Sequence, residues 1–307
     1  MKIIYVVFKT IYIDIDVDIC YCIIVVKRRI FMKIVTDTSA LYSPKEGKEK
    51  GILVLPLSVT INKQTYKEYV DINSEEFIKI VKTGAIPTSS QPSIGETMEL
   101  FENENDELLV ITMADGLSGT YQSTIGAKEC IEDNKHIHII NSMTLCGPHR
   151  YLVEKAIKLK EEGKDIDTIM QELHKSIATA KSFLIPQDFN FLKRGGRLTP
   201  LAATLGGMLK VVPVMMQTED GKKLEKFAMK RTLKSAVAEI MKELVNIGVN
   251  EKYRIYVSHA GVLKTATEVV KQIEKKFENV SIELLELSPV FITQGGPGCI
   301  AIQTIKM

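Results

Sequence analysis

The first residues in the chain whose types and spacing could do chemistry are those of Ile86-Pro87-Thr88-Ser89-Ser90-Gln91-Pro92-Ser93. Five of these eight are Thr, Ser or Gln, no charge interrupts them, and two prolines bracket them. Each proline fixes its own φ, removes a backbone donor and keeps the preceding residue out of the helical region. The stretch reads as a stiff loop presenting neutral donors. Gly116-Leu117-Ser118-Gly119-Thr120-Tyr121-Gln122-Ser123 echoes it, and Gln294-Gly295-Gly296-Pro297-Gly298 supplies a glycine-rich third. We expect these three loops to meet at one site and grip the head of a small anionic ligand.

Other chemistries fit less well. A nucleophile elbow needs a glycine two residues to either side of its serine, and position 120 is Thr. A serine hydrolase also needs a histidine base. Of His136, His138, His149, His174 and His259, the last is well placed, at the end of a strand pattern. An enzyme acting on a small carboxylate or phosphate ester through Ser118 is the alternative reading. Ser118 otherwise stands at a helix N-terminus, where it caps the helix and where backbone amides and the dipole favour an anion. The Gly-Gly-Pro-Gly run is not a P-loop, because no Lys-Ser/Thr follows it. Lys193-Arg194-Gly195-Gly196-Arg197 is a basic turn, either a solvated helix end or a docking point for phosphate or an acidic partner. No aromatics interleave with it, which argues against single-stranded nucleic acid. Nothing in the spacing of Asp37, Asp71 and Asp115 builds a magnesium site.

The elements that must position these loops alternate between strand and helix. Lys33 to Thr36 is a short apolar strand, Gly51 to Val59 a second apolar run, and Asn73-Ser74-Glu75-Glu76 caps a helix that stops at Gly84. Helices follow over Ser93 to Asn103 and Tyr121 to Ile131, with strands over Glu107 to Met113 and His136 to Ile140. Two helices, Pro148 to Glu162 and Ile166 to Lys175, end the first half. This alternation predicts a three-layer α/β/α unit with a mainly parallel sheet and its ligand site at the carboxyl ends of the strands. The second half has strands over Lys181 to Pro186, Tyr253 to Val257, Val280 to Leu287 and Cys299 to Ile305, and a hairpin turning at Asp220-Gly221. Its helices are expected over Phe189 to Arg194, Thr199 to Leu209, Thr232 to Asn246 and Lys264 to Phe277. That pattern predicts a two-layer α/β unit with a mixed sheet. Domains are expected at 32–178 and 179–307, with the ligand in the cleft between them.

Residues 1–31 read differently. Asp14, Asp16 and Asp18 alternate with Ile and Val, which suits an exposed strand and excludes a membrane span. No signal-peptide pattern is present. We read this segment as an upstream extension, with Met32 the natural start. A chain of 307 residues, 45% hydrophobic and 25% charged, is ordinary for a globular protein. A net charge of +2 makes no electrostatic case for nucleic acid or an anionic membrane. Five scattered cysteines, an odd number, suit reduced thiols in a cytoplasm.

From Met32 onward the chain resembles the DegV family of bacterial fatty-acid-binding proteins. The resemblance rests on Val35-Thr36-Asp37-Thr38-Ser39, Pro56-Leu57-Ser58-Val59, Pro87-Thr88-Ser89-Ser90-Gln91-Pro92-Ser93, Gly116 to Ser123, Arg194-Gly195-Gly196-Arg197 and Gly296-Pro297-Gly298, in order over 276 residues (307 minus 31). It implies a long-chain fatty acid in an apolar tunnel, with its carboxylate held by Thr88, Ser118 and the Gly119 amide. Ser89, Ser90 and Gln91 would then support the loop. It implies a non-catalytic, cytoplasmic carrier without metal or cofactor. Such a carrier presents the carboxyl group to a separate fatty-acid kinase subunit that makes acyl-phosphate for phospholipid metabolism. Arg194 and Arg197 would help dock that kinase. The chain departs from the family at Gln294, where many members carry a histidine, at Asn141, where the family has an aspartate, and at Cys146-Gly147-Pro148-His149. The Gln294 amide donates a hydrogen bond but carries neither proton nor charge; we expect it to join the carboxylate site.

Overall fold

The computed structural model describes residues 32–205 and 211–307, so the reading of 1–31 lies outside the described residues. The first half runs β1 (Met32–Asp37), α1 (Pro44–Glu49), β2 (Ile52–Leu55), β3 (Ser58–Ile61), β4 (Gln64–Lys67), α2 (Ser74–Val81), β5 (Thr88–Ser90), α3 (Ile94–Asn103), β6 (Glu107–Thr112), α4 (Thr120–Glu129), β7 (Ile137–Asn141), α5 (Cys146–Glu161) and α6 (Ile166–Ile177). The second runs β8 (Lys181–Ile185), α7 (Phe189–Gly195), α8 (Pro200–Ala203), β9 (Val212–Gln217), β10 (Leu224–Lys230), α9 (Leu233–Asn246), β11 (Tyr253–His259), α10 (Leu263–Glu274), β12 (Ser281–Glu286), α11 (Pro289–Gly295) and β13 (Ile300–Lys306).

The fold is α/β, with a parallel sheet in the order β2-β1-β6-β7 and a mixed sheet in the order β10-β9-β8-β13-β11-β12. Side chains alternate across the parallel strands, as the pleat requires. Ile34, Leu109 and Ile111 pack with Leu152, Ile169 and Leu173 of α5 and α6, whereas Val35, Leu108 and Val110 pack with Phe101 of α3 and Ala127 of α4. The mixed sheet is covered on one face by α9 and α10, through Val237, Ile240, Val269 and Ile273. From its other face Ser182, Leu184, Ala301 and Gln303 line a cavity.

Several elements differ from the expected pattern. The apolar run Gly51 to Val59 is broken at Pro56, which cannot donate to a ladder, into β2 and β3. The Pro87–Pro92 stretch is not a loop throughout: β5 is a short strand pairing antiparallel with β3 in the register Val59↔Ser89. Helix α8 ends at Ala203, and residues 206–209 of the expected 199–209 helix lie outside the described residues. The third loop is preceded by a helix, α11, which has Ser288 at its N-cap and Pro289 in its first turn.

The two sheets meet at the start of α5. Gln303 Nε2 donates to the Leu145 carbonyl at 3.0 Å and to Ser182 Oγ at 2.9 Å, while its Oε1 accepts from the Gly147 amide at 3.3 Å. Gly147 lies against the Tyr256 ring, where a Cβ would fall 2.1 Å from Cγ. Beside them Arg150 and Arg254 share Glu154 and Glu283.

A buried carboxyl holds α11 in place. Glu68 is fully buried; Thr38 Oγ1 donates to its Oε1 and the Val290 amide donates to its Oε2 at 3.0 Å. Burial, with a smaller contribution from nearby Asp37, pushes its carboxyl up to about 7. A carboxyl that holds its proton more tightly folded than unfolded lowers stability as pH rises through the interval between the two pKa values. Urea denaturation is therefore expected to show stability falling by up to about 3 kcal/mol from pH ~4.5 to above pH ~7. Glu68→Gln should flatten that slope, and equal slopes in the two proteins would refute the assignment.

Candidate ligand-binding site

The cavity, of about 300 Å³, lies between the mixed sheet, α7, α11 and the loops after β6 and β7. Its walls are chiefly apolar, with Leu57, Met113, Leu184, Leu192, Val290 and Phe291 among them. Such a shape suits a ligand whose affinity comes from apolar area, oriented by a few polar groups.

Those polar groups form a closed ring. Gln294, near the C-terminus of α11, donates from Nε2 to Ser89 Oγ at 3.0 Å. Its carboxamide rests on Gly195, where a Cβ would fall 2.1 Å from Oε1. Two residues on, Arg197 donates from Nε to the Leu117 carbonyl at 3.0 Å and from a terminal nitrogen to the Gly195 carbonyl. Leu117 leads to Ser118 and Gly119. Gly119 lies under the Gln91 carboxamide, where a Cβ would fall 2.2 Å from Oε1. Gln91 leads back to Ser89.

The expected site residues divide. Ser89, Ser90, Gln91, Ser118, Gly119, Gln294 and Arg197 all line the cavity. Thr88 is exposed and is not among them. Arg194 is exposed and stacks its guanidinium 4.6 Å from the Phe191 ring. Of the third loop, Gln294 and Gly295 reach the cavity, while Gly296 packs on Phe191 and Gly298 donates to the Ala260 carbonyl in the turn into β13. Met113, Leu145, Leu184 and Phe291, which the motifs did not single out, line the apolar part. Their signal in the sequence was hydrophobicity alone, which does not distinguish a cavity wall from a core.

Ser118 is engaged within its own loop, at the start of α4. Its Oγ accepts from the Thr120 amide at 3.3 Å and lies 2.8 Å from Thr120 Oγ1, with no histidine among its partners. His259 is not among the cavity residues. His149 is buried, bonded through Nδ1 to Ser39 Oγ at 2.8 Å and through Nε2 to Thr36 Oγ1 at 3.0 Å, and burial lowers its pKa. Gly119 is the N-cap of α4, so its amide stands among the free donors of a helix N-terminus. Asp37 is likewise structural, accepting from the Ser39 amide at 2.8 Å and the Met113 amide at 3.0 Å.

The model of a family described as "uncharacterised protein, DegV family" matches residues 32–307. The chain belongs to the DegV family. A DegV domain-containing protein of Halalkalibacterium halodurans is 32% identical over 276 residues, covering 88% of this chain and 96% of that protein. DegV of Bacillus subtilis, described as a fatty acid binding protein, has a crystal structure similar at a TM-score of 0.78 and 28% identity, covering 90% of this chain and 99% of that one. A DegV family protein of Thermus thermophilus, whose structure is described for its fatty acid binding, gives a TM-score of 0.82 at 25% identity, with 90% and 99% covered. Among the described residues of this DegV chain, no helix is long and apolar enough to cross a membrane.

Two glycines of the fold make a graded test. An alanine Cβ at Gly119 meets the free end of the Gln91 side chain, which can swing aside, whereas one at Gly147 meets the buried Tyr256 ring. Gly147→Ala is expected to lose about 1–3 kcal/mol by denaturant titration and Gly119→Ala less than about 1 kcal/mol. The reverse order would contradict the packing described.

Proposed function

We propose that this protein binds a long-chain fatty acid, with the acyl chain in the apolar cavity and the carboxylate inside the polar ring, donated to by Ser89, Ser118 and the Gly119 amide. The observation that carries the proposal is the pairing of a chiefly apolar cavity with neutral donors gathered at one side of it. Two related proteins described as fatty acid binding support it. Each buried methylene contributes about 0.8 kcal/mol, so the chain supplies most of the affinity and the head group needs little more than orientation. We give Ser89 the place expected of Thr88, because Ser89 lines the cavity and is bonded to Gln294 while Thr88 is not among the lining residues.

We further propose that the bound acid is handed to a kinase subunit rather than transformed here. The donors proposed for the carboxylate are neutral and orient it without neutralising it, while the Arg197 guanidinium of the ring is engaged with the Leu117 and Gly195 carbonyls. The carboxylate oxygen remains able to attack the terminal phosphorus of ATP, with ADP leaving and acyl-phosphate forming. The Arg194–Arg197 turn, part of whose edge frames the ring, is the surface proposed for that partner.

Protein purified from bacteria is expected to carry about one fatty acid per chain, released on denaturation and identified by mass spectrometry. Lipid-free protein that takes up neither palmitate nor oleate would overturn the proposal. Ser89→Ala and Ser118→Ala are each expected to weaken palmitate binding by about 1–3 kcal/mol, because each leaves a buried acceptor short of a donor. Thr88→Ala should change it by less than about 0.5 kcal/mol.

A further inference from the structure

We infer that Gln294 acts through Ser89: it is the positioning residue that makes the Ser89 hydroxyl an obligatory donor to the ligand head, and Gly195 is the slot that holds it in that role. The inference rests on the fatty-acid reading above and assigns Gln294 a part other than direct contact with the carboxylate.

An amide nitrogen can donate but not accept. With Gln294 Nε2 3.0 Å from Ser89 Oγ, the serine oxygen is the acceptor in that bond. Its one hydrogen must point elsewhere. Ser89 lines the cavity and makes no other side-chain hydrogen bond among the described residues, so the hydrogen is left for whatever fills the cavity.

The far side of the carboxamide sets its orientation. Gln294 Oε1 is buried, has no hydrogen-bond partner among the described residues, and presses on Gly195, whose missing side chain makes the room. Turning the amide over would put two N–H groups into that contact, and the serine would then donate to the amide oxygen and be lost to the ligand. The basic turn is therefore part of the head-group site through its backbone. A Cβ at position 195 would lie 2.1 Å from Gln294 Oε1 and drive the carboxamide off Ser89. Gly195 does not need glycine for its own φ, which is not in the left-handed region, so an alanine there acts through Gln294 alone.

The test compares affinities for palmitate and for hexadecanol, which has the same chain and an uncharged head, by calorimetry, with thermal melting to confirm that each variant folds. A donor to a charged acceptor is worth more than one to a neutral acceptor, so the acid-to-alcohol affinity ratio reads the state of Ser89. In Gln294→Leu that ratio is expected to fall about ten-fold. Gln294→Glu, which can only accept and so takes the serine hydrogen, should fall at least as far. Gln294→His, with a ring N–H able to donate, should stay within about three-fold of the parent. Gly195→Ala should reproduce the fall of Gln294→Leu, and the double variant should add nothing to it. An unchanged ratio in Gln294→Leu, or acid and alcohol affinities falling together, would overturn the inference and leave fatty-acid binding standing. A parent protein that binds neither compound would remove the fatty-acid reading, and this inference with it.

Discussion

Gln91 and Gln294 each lay a carboxamide against a glycine Cα, and those two contacts keep the polar side of the cavity together. The glycines come from different parts of the chain, Gly119 at the start of α4 and Gly195 at the end of α7. Each contact is a close approach that any side chain would block. Between them run one bond between side chains, Gln294 to Ser89, and two from side chain to backbone, Arg197 to the Leu117 and Gly195 carbonyls. The ring brings together β5, α11, the basic turn and the loop after β6, and no single element could present its donors alone.

Each member of the ring is held from behind. Ser89 is set by the register of β5 on β3. The α11 helix, which carries Gln294 and the apolar Val290 and Phe291, is tied at its start to the buried Glu68. Gln303 closes the opposite wall by satisfying the Gly147 amide and the Leu145 carbonyl where α5 begins. The buried polar side chains that frame the cavity are thus spent mainly on backbone and on one another. Ser89, Ser118 and Gly119 stand at one side of a space that is otherwise chiefly apolar.

The fold class was legible because the strands carry apolar runs and the helices carry caps, so element type and order followed from periodicity and turn chemistry. The three polar stretches were legible for the same reason: neutral hydroxyls bracketed by proline and glycine are conspicuous. The choice between Thr88 and Ser89 was not. Which of the two lines the cavity depends on how a three-residue strand pairs with β3, and a strand that short carries no alternation of its own. Helix α11 was hidden because its hydrophobic residues are buried on several sides, leaving no one-sided stripe. The role of Gln294 was hidden because it depends on a glycine nearly a hundred residues away. The legible part concerns what each segment is, and the rest concerns which segments touch.

A crystal structure of the protein with palmitate would show directly where the head group sits. We expect the carboxylate within about 3 Å of Ser89 Oγ, Ser118 Oγ and the Gly119 nitrogen, with the chain running past Met113 and Phe291. A carboxylate bound outside the ring, or a chain lying with its methyl end at Ser89, would contradict that placement.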